Sequence, residues 1–159
     1  MSDDRLFLIF DNLEQGYLGT FVRDSLWLFP AIESIHLVGL AVLGGAVIVN
    51  DLRLLKVFLV DKTKIYVLNQ TIKWFYVGLA LLVITGVPLF LSEAIKCFYS
   101  RAFWIKMGCL VLGILFTILI RNPQIYKAEE ESVKLKIIGV ISIFIWMVVA
   151  ASGRWIGFS

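Results

Sequence analysis

Histidine occurs once in this chain, at position 36, and cysteine twice, at positions 97 and 109. So small a set excludes a conventional zinc or copper centre, which takes three or four convergent ligands. The cysteines form no C-x-x-C motif, and Cys109 falls inside an apolar run, which argues against a disulfide. Hydrolytic triads and glycine-rich phosphate loops are also missing. Charge is scarce as well: Asp, Glu, Lys and Arg make up 17%, against about 25% in soluble domains. The net charge of +3 suits basic loops facing anionic lipid and does not point to nucleic acid. The opening MSDDRLFLIF carries acids where a secretory signal is basic, and no small-residue cleavage site follows, so no cleavable signal is expected.

What remains is apolar. Hydrophobic residues make up 60% of the chain, and its mean hydropathy is +0.89. Four segments, 26–50, 70–91, 103–121 and 135–156, reach the roughly 20 apolar residues that cross a bilayer. Their connections are short and polar, which makes the helices antiparallel neighbours. The expected fold is all-α: an integral membrane four-helix bundle over residues 26–159.

Residues 1–25 form a separate amphipathic interfacial segment. Leu6, Ile9, Phe10 and Leu13 repeat at helical spacing, with Asp4, Arg5, Asp11 and Glu14 elsewhere on the wheel. Gly16 and Gly19 are expected to end this helix, and Asp24 or Ser25 to cap the first span. Asn122-Pro123 is expected to stop the third span. Glu129-Glu130-Glu131 reads as a solvated or capping run. Lys and Arg number eight in the 1–2 and 3–4 connections and five on the other side. That bias places both termini outside.

Ionisable groups at membrane depth are costly and need partners. The topology places Glu33 and His36, one helical turn apart, in the outer half of the first span. Lys106 and Arg154 fall at a similar depth on the third and fourth. A neutral imidazole is a common haem ligand, and haem iron needs only one protein ligand. On that reading His36 ligates iron, Glu33 tunes or orients the site, and Lys106 and Arg154 neutralise propionates. Met107, Met147 or the His36 of a second copy would supply a further axial ligand. Alternatively, the four residues form a proton or small-ion site, or a polar cluster that only fixes helix register in a structural subunit.

A second group, Asp51, Arg53, Lys73 and Arg121 with Asn50, gathers at the inner end, where structural ion pairing is expected. Trp146 lies mid-span, and its indole N–H needs a partner from the bundle or from a cofactor. Gly39, Gly44, Gly45, Gly78, Gly108, Gly113 and Gly139 allow close helix contacts, within the chain or with a second copy in a homo-oligomer.

The motif W-L-F-P-x-I-E-x-x-H-x-x-G-L-A-x-x-G-G, followed by D-L-R-L-L, resembles an uncharacterised group of small bacterial four-helix membrane proteins. Thr85-Gly86, the A-F-W-I-K-M of residues 102–107 and Gly153-Arg154 extend that resemblance, which implies the bacterial inner membrane. More distantly, the chain is similar to membrane-bound protoporphyrinogen oxidases and copper-resistance membrane domains. The oxidases imply haem b, with His36 and Lys106 at the positions of their functional histidine and lysine. The chain departs from them in lacking further histidines near the ends of the first and third spans, where Asn50 and Thr117 stand. The metal-binding residues of the copper domains have no match.

Overall fold

A computed structural model describes residues 2–128 and 132–156. The run Glu129-Glu130-Glu131 lies outside the described residues. The fold is a helical membrane bundle, with four helices among the described residues long and apolar enough to cross a bilayer. They are α3 (Leu28–Leu54), α4 (Lys64–Ser92), α6 (Arg101–Leu115) with its continuation to Lys127, and α8 (Val133–Ile156). Before them come α1 (Ser2–Glu14) and α2 (Tyr17–Asp24), and α5 (Ala94–Tyr99) links α4 to α6.

Local chemistry sets the ends. Ser25 Oγ accepts from the Leu28 N–H at 3.3 Å and opens α3. Thr63 Oγ1 accepts from the Tyr66 N–H at 3.2 Å, so α4 begins at Lys64, six residues before the apolar run suggested. A hydroxyl cap satisfies an N–H that the first turn cannot. The third span departs from expectation. Helix α6 passes through a π-helical turn, Phe116–Arg121, into α7 (Asn122–Lys127) without stopping. The Asn122 N–H reaches back to Thr117 O, and Pro123 takes the start of α7. Proline is tolerated there because its missing N–H falls where the regular hydrogen-bond pattern is already interrupted.

Lipid tails are as apolar as leucine, so packing rather than expulsion from water draws these helices together. Glycine makes the packing close. A Cβ on Gly78 would lie 2.6 Å from Leu43 N, and one on Gly39 3.0 Å from Leu81 Cβ, where α3 crosses α4. Gly113 admits the Trp146 ring between α6 and α8, and Gly139 admits the α3 backbone at Asp51 O. Gly44, Gly45 and Gly108 do not serve this purpose, since a Cβ on any of them would touch nothing within 4 Å. The mid-bundle core is Leu43, Ala46, Val47, Phe75, Trp146 and Val149.

The N-terminal segment covers one end of the bundle. It forms two helices, because Gly16, with ψ 157°, turns the chain out of α1. Gly19 does not end a helix as expected. It lies inside α2 and permits contact: a Cβ there would be 2.5 Å from Leu91 O and 2.6 Å from Glu14 O. The expected apolar stripe of α1 also divides. Phe10 turns inward against Phe90, Phe98 and Trp104, while Leu6, Ile9 and Leu13 stay exposed. Glu14, read as part of the polar face, caps α5 by accepting from the Ile95 N–H at 2.6 Å. It also takes a 2.9 Å ion pair from Arg23.

Candidate functional site

Two polar sites stand at opposite ends of the bundle interior. Nearer α1 and α2, His36 points from α3 toward α4. Its Nδ1 lies 2.8 Å from Thr85 Oγ1, and that hydroxyl lies 2.6 Å from Leu81 O. Its Nε2 has no hydrogen-bond partner among the described residues. Gly86 makes room for the ring, since a Cβ there would sit 3.3 Å from His36 Cε1.

Lys106, on α6, belongs to the same site. Its ammonium is close enough for its charge to act on the imidazole, and its stem lies along Gly153 of α8, where a Cβ would be 3.5 Å from Cε and Nζ. No described residue forms an ion pair or hydrogen bond with that ammonium. His36, Thr85 and Gly86 thus join α3 to α4, and Lys106 and Gly153 join α6 to α8, at the same end of the bundle. Thr85 and the two glycines were visible in the sequence only as pieces of a family motif. Nothing in their spacing announced an imidazole contact.

Of the other residues assigned to this cluster, Glu33 and Arg154 are exposed and Trp146 lies in the core. Glu33 is exposed and makes no ion pair or hydrogen bond with a described residue. Being one turn from His36 did not suffice, because three residues advance about 300° and leave the pair some 60° apart on the wheel. Arg154 is exposed at the end of α8. Trp146 is 7% exposed in the core, where its Nε1–H donates to Thr117 Oγ1 at 3.2 Å and its ring meets Phe75 edge-on. Met147 is 65% exposed on the outer surface of α8.

At the opposite end, Arg121 Nη1 donates to Asp51 Oδ1 at 3.0 Å. Arg121 also reaches Asn122 Oδ1 at 3.3 Å and Ser142 Oγ at 3.4 Å. The π-helical turn ends on Arg121 and delivers it to the interior, which no sequence signal indicated. Of the other residues expected to pair there, buried Arg53 donates from Nε to Lys62 O, and Lys73 is exposed. Asn50 donates to Ala46 O and to Thr71 Oγ1. Buried Lys64 donates to Ala128 O, the C-cap of α7.

Fifteen residues of helix separate His36 from Asp51, about 22 Å at 1.5 Å per residue. The apolar core of Leu43, Val47 and Phe75 lies between them.

A helical bundle of four membrane-crossing lengths, with a polar cluster at each end of its interior, defines a multi-span membrane protein. The chain belongs to a family of unknown function, DUF6644, whose model matches residues 9–159. No curated protein and no solved structure matches it.

Proposed function

We propose that this protein is a small b-type-cytochrome-like membrane protein that binds haem b through His36 and serves electron transfer. One observation carries the reading. Near an imidazole with an unengaged Nε2 stands Lys106, a partly buried residue whose ammonium has no anionic partner among the described residues. A cation held within a membrane span without a partner is costly. A ligand offering both an electron-pair acceptor and a carboxylate answers both groups, and haem is such a ligand.

The donor set suits haem better than a protein-bound metal ion, because the described residues hold no group of three His, Cys, Asp or Glu side chains. The distant resemblance to haem-associated oxidases, which pairs His36 with Lys106, supports the same choice. Haem, when bound, would supply a one-electron couple. His36 would hold it, Lys106 would neutralise a propionate, and the surrounding helices would keep water from it. Arg154, at the same end of the bundle, is a second candidate for a propionate. A transmembrane proton path finds less support, because Glu33 points away and a dry core separates the two polar sites.

The test is the absorbance spectrum of the purified protein. A Soret band is expected, abolished in His36→Ala and weakened in Lys106→Ala. Absence of the band from the native protein and after haem reconstitution would end the proposal.

A further inference from the structure

Thr85 and Gly86 have no part in the reading above, yet they hold the His36 ring. A threonine hydroxyl has one proton to give. Thr85 Oγ1 is 2.6 Å from Leu81 O and 2.8 Å from His36 Nδ1. Were its proton aimed at Nδ1, two oxygens would face each other at 2.6 Å with no hydrogen between them, which is repulsive. The hydroxyl therefore donates to Leu81 O, and its lone pair accepts from Nδ1–H. Thr85 is 6% exposed, so water does not compete for these bonds. Gly86 completes the arrangement by leaving space beside Cε1, which a methyl group would crowd at 3.3 Å.

We propose that Thr85 and Gly86 form a clamp that fixes His36 as its Nδ1–H tautomer and leaves the Nε2 lone pair free for an electron-pair acceptor, a metal centre, at this end of the bundle. The hydrogen bond at one ring nitrogen decides which form the other takes. Free imidazole side chains in water favour the Nε2–H form, so the clamp reverses the ordinary preference. Thr85 is a positioning residue here. Only the identity of the acceptor as haem iron rests on the proposed function, and the tautomer does not.

The single histidine makes the test direct. Protein labelled with 15N-histidine and held in detergent micelles at pH 8 contributes one pair of ring nitrogens. The expected wild-type spectrum has a protonated, pyrrole-like Nδ1 and a bare, pyridine-like Nε2. If the protein purifies with haem, the haem is extracted before the spectrum is taken, because iron on Nε2 would by itself hold the proton on Nδ1. Thr85→Ser keeps the pattern. Thr85→Val loses it, and in the haem-free protein most of the signal moves to the Nε2–H form. A wild-type Nε2–H tautomer overturns the clamp, as does a Thr85→Val spectrum identical to wild type. If Thr85→Val fails to fold, the wild-type and Thr85→Ser spectra still decide. The expected pattern without a Soret band in the native protein keeps the clamp and removes haem, whereas a Soret band in the native protein with Nδ1 unprotonated after haem extraction keeps haem and removes the clamp.

Discussion

Arg121 and Asp51, seventy positions apart in the chain, meet at 3.0 Å with relative side-chain exposures of 2% and 0%. Both charges are withdrawn from water and lipid alike, and each is the other's principal partner. The second carboxylate oxygen, Oδ2, is buried with no hydrogen bond to a described residue.

Breaking this pair from one side leaves a buried charge unanswered. Asp51→Ala or Arg121→Leu alone is expected to cost about 3–5 kcal/mol. The double variant Asp51→Leu/Arg121→Met, which removes both charges, loses far less than the sum of the single changes. Denaturant unfolding in mixed micelles reads the difference, and strictly additive losses would show that the two residues act independently.

The glycines divide into two kinds. Gly78→Ala forces a methyl group to within 2.6 Å of Leu43 N, and overpacking of this kind costs about 1–3 kcal/mol. Gly45→Ala meets nothing within 4 Å and gains up to ~1 kcal/mol of helix propensity. Melting temperatures of the two variants should move in opposite directions. A drop for Gly45→Ala as large as that for Gly78→Ala points to an unseen contact on that face.

Glu14 ties the N-terminal helices to the bundle. Glu14→Ala removes both the α5 cap and the Arg23 pair and is expected to cost about 1–2 kcal/mol. Arg23→Ala costs less, because its side chain is 39% exposed and water screens the pair. Amide exchange should rise in α1, α2 and α5 of Glu14→Ala and stay unchanged at the middle of α3.

Cys97 lies on α5, outside the spans. Burial and then the charge of Glu93 push its thiol up to about 11, against the smaller opposing pull of Lys106 and Lys96. A raised thiol pKa leaves less of the reactive thiolate at a given pH, so at pH 8 roughly one molecule in a thousand carries it. Alkylation of native Cys97 should run at least tenfold slower than in denatured protein. Equal rates would mean the thiol is open to solvent.

The four spans were legible because a bilayer imposes a length and a composition on anything that crosses it. The caps at Ser25 and Thr63 were of the kind that short polar side chains supply, although only Ser25 was singled out. The inner ion pair was narrowed to four residues, and pairing Asp51 with Arg121 depended on a π-helical turn that rephases α6. His36 and Lys106 were identified as intramembrane oddities. Glu33 was grouped with them by sequence proximity, and the structure leaves it exposed. Thr85, Gly86 and Gly153 were overlooked as site residues, since a threonine or glycine in a membrane helix is ordinary until a neighbour's ring or ammonium is seen against it.

Composition by itself determined that this is a helical membrane protein, since so apolar a chain with regularly spaced long runs has few other ways to satisfy its backbone in lipid. It also determined that one imidazole and few charges must carry any chemistry in the interior. Only the tertiary structure decided which charges meet, which glycines are contacts and which nitrogen of His36 is engaged. Those outcomes depend on the rotation of each helix about its own axis. That rotation is set by close packing across α3, α4, α6 and α8, not by the local pattern of any one of them.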